Sequence, residues 1–222
     1  LLAMLAGMGA LLISGFAFAG AMLAMVLVFG LAHGTGSWTA SRLLLTGVVV
    51  AAGWGAVITL MLAITPSYKL PGMLYWLMGD VSYARTPWPA LVVLVLAILV
   101  ILPLARNMNV LARGPMQAAA LGVSVRPLEW TIYVLASLLT ATAVTTAGSI
   151  GFVGLIVPHM LRLVLGNDQR IILPASALAG GTLLVLADTL ARTVIAPEQL
   201  PVGVITALLG VPTFLYLLHR SR

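Results

Sequence analysis

Apolar runs of about twenty residues, separated by short polar breaks, fill this chain and constrain its fold more than any other feature. A helix rises about 1.5 Å per residue and must cross a hydrocarbon layer ~30 Å thick, so a run of about 20 apolar residues fits one crossing. Composition points the same way. Of 222 residues, 62% are hydrophobic and 7% charged, whereas a soluble domain carries about a quarter charged residues. The expected fold is all-α: a polytopic transmembrane helical bundle forming one membrane domain over residues 1–222, with lipid as its solvent.

The first stretch, residues 1–32, would be ~48 Å long as one helix, more than a single span requires. Gly7 and Gly9 divide it into the tail of one helix and a full span from about Met8. A second span runs from about Ser41 to Thr65 and stops at Pro66. Residues 69–89 are rich in Trp, Tyr, Gly and Pro, as expected of an interfacial connection. A third span covers about Ala90 to Ala105, with Trp88 and Arg106 at its two interfaces. Residues 128–165 would measure ~57 Å as one helix, so the chain must fold back once, with the break marked by Gly148, Gly151 and Gly154. Further spans follow at about residues 171–190 and 200–218. Seven spans result, with a fragment of an eighth at the start. The chain begins at Leu1 inside an apolar run, without initiator Met or charged leader, so an N-terminal part is expected to be missing.

Charge placement sets the orientation. One set of alternate breaks holds Arg42, Arg106, Arg113, Arg126, Arg162, Arg170, Arg220 and Arg222, whereas the other holds Lys69, Arg85 and Arg192. Eight against three is the bias expected when the first set faces the cytoplasm. The C-terminus and residues 106–127 and 159–170 then lie inside, with residues 66–88 and 191–199 outside. The net charge of +6 does not indicate nucleic acid, because the basic residues are scattered singly instead of forming a stripe.

Several chemistries are excluded. The chain has no cysteine, hence no disulfide, thiolate metal site or thiol nucleophile. A phosphate-binding loop needs glycines followed by Lys and Ser or Thr, and Lys69, the only lysine, sits in Ser67-Tyr68-Lys69-Leu70. If ATP drives this protein, another chain binds it. His33, His159 and His219 are dispersed, with no spacing that brings two imidazoles onto one metal. Asp188 is the one carboxylate expected within a span, and Arg192 one turn later is its natural partner. No enzyme activity, metal or cofactor is expected in this chain.

Gly148-Ser-Ile-Gly-Phe-Val-Gly-Leu-Ile-Val-Pro-His159 places glycines at i, i+3 and i+6 and Pro158 four residues after the last. Small residues at that spacing allow close helix packing in lipid, and the segment is read as a packing motif with a hairpin bend. Together with Leu173-Pro174-Ala175-Ser176-Ala177, Ala187-Asp188, Ala191-Arg192, Leu200-Pro201-Val202-Gly203-Val204 and Gly210-Val211-Pro212-Thr213-Phe214, it resembles the FecCD/BtuC-type permease family of bacterial importers for iron-siderophores, haem and vitamin B12. Tyr75-Trp76-Leu77-Met78-Gly79 and Asn109-Val110-Leu111-Ala112 extend the resemblance over roughly residues 70–222.

That resemblance implies a ten-span subunit of which this chain holds the last seven spans and the end of a third. It also implies a homodimer in the bacterial cytoplasmic membrane with a pore along the shared interface, two cytoplasmic ATP-binding subunits, and a periplasmic or extracellular substrate-binding protein. Arg192 matches a docking arginine for that protein. The connection holding Gly34, Thr35, Gly36, Ser37 and Thr39 would be an inner gate, although an ordinary loop suits the same residues. Arg113, Gly114, Pro115, Gln117, Ala118, Ala119, Leu121 and Gly122 match a coupling element that receives the ATPase. Their own chemistry reads as a short helix, with proline in the first turn, alanine inside and glycine at the end. The competing reading is an ion-coupled secondary transporter with its substrate site at the broken hairpin from Gly148 to Pro158.

Overall fold

The computed structural model describes residues 1–32, 40–84 and 86–220, and all regular structure among them is helical. The helices are α1 (Leu2–Leu5), α2 (Ala10–Ala32), α3 (Ala40–Ala63), α4 (Leu70–Met78), α5 (Trp88–Leu111), α6 (Pro115–Ala120), α7 (Val125–Ala147), α8 (Val153–Leu165), α9 (Gln169–Thr193) and α10 (Val202–Arg220), with one 3₁₀ turn at Val81–Tyr83. Five of them, α2, α3, α5, α7 and α9, are long and apolar enough to cross a membrane. The segments 153–165 and 202–217 are apolar but shorter. Thirteen residues of α8 reach only about 20 Å, so the expected fifth span falls short of the full hydrocarbon thickness.

Boundaries follow local chemistry. Gly7 adopts φ 70° and ends the fragment before α2, where division of the first stretch was expected. The span expected at residues 90–105 is longer: α5 continues to Leu111, carrying Pro103 and Arg106 inside the helix. Arg106 therefore does not terminate it. The interfacial connection after Pro66 contains a helix of its own, α4, with Pro71 in its first turn and Gly79 at φ 79° past its end.

The helices pack as a connected series. α2 lies against α3 and α7, α7 against α5, α5 against α9, and α9 against both α8 and α10, while α4 reaches α10. The buried positions are dominated by alanine: Ala32, Ala97, Ala105, Ala118, Ala141, Ala187 and Ala191. Larger residues such as Leu11, Leu44, Leu178 and Val164 point outward. This inverts a soluble core, because lipid tails are as apolar as leucine and helices associate through close packing of small residues. Threonine hydroxyls on the spans, among them Thr142, Thr145, Thr182 and Thr213, donate to the carbonyl four residues back. That satisfies them where water is absent.

Candidate functional site

At the end carrying most of the arginines, α5 turns into α6 through a tightly bonded corner. The N–H groups of Ala112, Arg113 and Gly114 donate to the carbonyls of Met108, Val110 and Leu111. Gly114 takes φ 120°, a conformation that disfavours a side chain, and Pro115 starts α6, where its missing N–H is not needed. Past the end of α6, Gly122 turns the chain at φ 81°, and Val123 N–H closes onto the Ala118 carbonyl at 3.0 Å. Ala118 is fully buried, whereas Met116 is 86% and Leu121 68% exposed. α6 thus leans on α5 and α7 through one small residue and leaves its larger apolar residues free. The expected short helix is present, with Gln117 and Ala119 on its exposed side.

Beside this corner opens a cleft of about 630 Å³ lined by Asn109, Ala112, Arg113, Arg162, Asn167, Asp168 and Gln169. The Asn109 amide spans it. Its Nδ2 donates to Asp168 Oδ1 at 2.7 Å and its Oδ1 accepts from Gln169 N–H at 2.8 Å. Asp168 Oδ1 also accepts from Arg170 N–H at 3.0 Å, capping α9. The Asn109 hydrogen bond, then the Arg170 N–H and its positive charge, hold the Asp168 carboxyl below the usual carboxylate range. Sequence reading missed this group. An aspartate preceding an apolar helix is a legible cap signal, but its partner stands 59 positions away.

At the opposite end three segments meet backbone to backbone. A Cβ at Gly203 would collide with the Met78 carbonyl, and one at Gly148 with the Trp76 carbonyl. One at Gly79 would stand 2.7 Å from Ile150 Cγ1 and 2.8 Å from Ser149 O. The end of α4, the link between α7 and α8, and the start of α10 are therefore locked together by glycine. Asp80 extends the lock. Its N–H donates to Ala147 O at 2.9 Å, and its Oδ1 accepts from Ser82 N–H at 2.8 Å and Gln199 Nε2 at 3.3 Å.

Of the glycines in the expected packing motif Gly148, Gly151 and Gly154, Gly148 meets other backbone within the described residues. A Cβ at Gly151 or Gly154 would meet nothing within 4 Å. The break itself spans residues 148–152, with Gly148 at φ 72° and Phe152 at φ 67°. Pro158 lies inside a continuous α8 and forms no part of the bend. It falls six residues into the helix, so the fold-back is completed before it.

Arg192 Nε pairs with Asp188 Oδ2 at 2.8 Å, one turn apart on α9, as their spacing predicts. The arginine side chain remains 44% exposed. Asp188 Oδ1 is buried and has no bonding partner among the described residues. Trp88 is 70% exposed at the start of α5, consistent with an interfacial anchor, while Trp76 is half-buried. The inner-gate residues Gly34, Thr35, Gly36, Ser37 and Thr39 lie outside the described residues. Among the described residues no group of three His, Cys, Asp or Glu could hold a metal ion.

Comparison with known proteins gives a consistent picture. The chain is 47% identical over 207 residues to the cobalamin import system permease protein BtuC of Halobacterium salinarum, covering 91% of this chain and 55% of that protein. It is 40% identical over 213 residues to the hemin transport system permease protein HmuU of Yersinia pestis, covering 93% and 62%. The Fe(3+) dicitrate transport system permease protein FecD of Escherichia coli is 39% identical over 210 residues, covering 93% and 64%. The chain thus spans between about half and two-thirds of these relatives' length. A solved structure described as an inward-facing conformation of a metal-chelate type ABC transporter superposes with a TM-score of 0.79 at 30% identity, over 99% of this chain and 70% of that one. The profile of the FecCD transport family matches residues 1–220, and the chain belongs to that family.

Proposed function

We propose that this chain is the membrane-spanning permease part of an ATP-driven importer that moves an iron chelate, haem or vitamin B12 inward across the cytoplasmic membrane. The observation that carries the reading is the family match along 1–220, among relatives named for cobalamin, hemin and ferric dicitrate transport. The energy enters from outside the chain. α6, with Arg113, Gly114, Pro115, Gln117, Ala119, Leu121 and Gly122 around buried Ala118, receives a cytoplasmic ATP-binding subunit. A six-residue helix is marginal by itself in water, and its exposed apolar residues favour a protein surface. Arg192, exposed and oriented by Asp188, docks an acidic group of an extracytoplasmic binding protein through a charge-assisted bond.

The path for the cargo is supported by an open apolar cleft of about 600 Å³ beside α10, lined by residues including Leu77, Met78, Ser149, Gly203 and Val211. Completed by a second copy, such walls would offer few polar contacts and hold a chelate loosely. The lining of this cleft holds no ionisable side chain, whereas an ion-coupled carrier places ionisable groups along its path. The test is reconstitution of the complete protein in vesicles with its ATPase and binding protein. ATP-dependent accumulation of cyanocobalamin, haemin or ferric dicitrate is expected. Accumulation driven by an ion gradient without ATPase would refute the reading.

A further inference from the structure

Between α6 and the rest of the bundle runs a connection that does not follow the chain. α6 is joined covalently to α5 and α7, and of these two helices α5 also packs along α9 and bonds to the α8–α9 corner through a side chain. Asn109 supplies that side chain from the last turn of α5. Its amide uses both of its ends on consecutive residues of the other corner, the Asp168 carboxylate and the Gln169 N–H. One hydrogen bond would leave α5 free to rotate about it, whereas two from a planar amide fix the rotation of α5 against the start of α9. The Asp168 bond is charge-assisted, a class roughly twice as strong as neutral bonds. Gln169 N–H is one of the unpaired donors of the first turn of α9, so releasing Asn109 exposes a helix end as well as opening the pair. From Asn109 to Pro115 the chain is helix followed by hydrogen-bonded turn, with Ala112, Arg113 and Gly114 all bonded back. A displacement of α6 therefore has a stiff route to Asn109, and through it to α9.

We propose that Asn109 is a positioning residue for energy coupling: a latch that makes α9 move with the α5–α6 corner when the partner ATPase displaces α6. This rests on the functional reading above and adds to it a second route for force, separate from the covalent one. The latch has a built-in test, because its two side chains can be exchanged. N109A removes both bonds. N109D sets two carboxylates against each other. The exchange N109D with D168N restores a carboxylate facing an amide, with an acceptor still available for Gln169 N–H and another for Arg170 N–H.

The chain has no cysteine, so spin labels attached to this chain at N107C on α5 and I171C on α9 report the corner. Both positions are exposed and lie outside the surface given to the ATPase. In the assembled transporter in lipid nanodiscs, the distance distribution between these labels is expected to be narrow in the parent, broad in N109A and N109D, and narrow again in the exchange. Coupling is read as uptake per ATP hydrolysed, using whichever of cyanocobalamin, haemin or ferric dicitrate the unmodified complex accumulates. N109A should lower this ratio by about threefold or more, the scale on which residues along a coupling route act, while the ATPase stays bound. The exchange should recover most of it. A structural role alone would lower the amount of folded complex and leave uptake per ATP unchanged. An unchanged ratio in N109A, or an exchange no better than N109D, overturns the proposal. If the unmodified complex shows no ATP-driven uptake, the functional reading fails and the coupling role with it. The label distances still decide whether Asn109 holds the corner.

Discussion

Replacing Gly203 by alanine separates two opposing effects that the sequence alone cannot rank. In a helix interior alanine is favoured over glycine by about 0.8–1.0 kcal/mol, and Gly203 is the second residue of α10, so propensity predicts a gain at most that large. The tertiary contact predicts a loss. The new Cβ would overlap the Met78 carbonyl oxygen and lie 3.1 Å from both the Met78 carbonyl carbon and Ser149 O. Optimal separations are about 3.5–4.0 Å, and the obstructing atoms are backbone that no rotamer change can remove. α4 and α10 must therefore part by on the order of 1 Å, and a gap of 0.5–1 Å forfeits about a quarter to a half of each dispersion contact across the crossing. Overpacking of this kind costs about 1–3 kcal/mol, so the net is a loss of roughly 0–2 kcal/mol after propensity is subtracted. Gly180 supplies the control: it lies within α9 with Val153 Cγ1 3.6 Å from the added Cβ, an ordinary contact. Gly180→Ala should stabilise by up to about 1 kcal/mol. Thermal melting of the purified protein in detergent, followed by fluorescence, checks both. A Gly203→Ala protein that melts above the parent, in parallel with Gly180→Ala, would refute the close crossing.

Ala119→Glu or Leu121→Asp should leave insertion and melting unchanged but weaken co-purification of the ATPase, since each places a carboxylate on the exposed side of α6. Ala118→Glu should instead lower folded yield, because that position is fully buried and the charge would have no water. Arg192→Glu faces Asp188 with a like charge and should reduce binding-protein affinity in a pull-down with intact complex; unchanged affinity would leave the Asp188 pair as a purely structural bond. Asp168 has a carboxyl held below its usual range by Asn109 and Arg170, so its contribution is fully present above the unfolded value of about 3.9 and is lost as pH falls through the lower folded value. The melting difference between parent and Asp168→Asn should therefore stay flat from about pH 8 to 5 and shrink only below about pH 4. Single cysteines at Ser82 and Ser124, both exposed, should label oppositely with an impermeant thiol reagent in intact spheroplasts, Ser82→Cys reacting from outside.

Hydropathy and local pattern were enough for the class of the molecule and most of its segments. Long apolar runs with few charges have one solvent, so α2, α3, α5, α7 and α9 were legible wherever length and hydropathy decide. Glycine and proline act within a few residues of themselves, which is why the division at Gly7, the fold-back at Gly148 and the small helix from Pro115 to Ala120 were also legible. The Asp188–Arg192 pair was readable for the same reason, since four residues along a helix fix a neighbour. Sequence overextended where a local pattern needed a distant partner to give it meaning. Three glycines at one spacing looked alike, yet among the described residues Gly148 meets another backbone, at Trp76 and Gly79, while a Cβ at Gly151 or Gly154 would meet nothing within 4 Å. The end of the third span was misplaced because Arg106 looked like a terminus, whereas the helix runs on to Leu111 and carries Asn109 to the start of α9. Neither the contact of Gly203 with Met78 nor the bond of Asn109 to Asp168 leaves a mark in hydropathy or periodicity. Both join residues more than fifty positions apart, and only the packing of the helices brings them within reach.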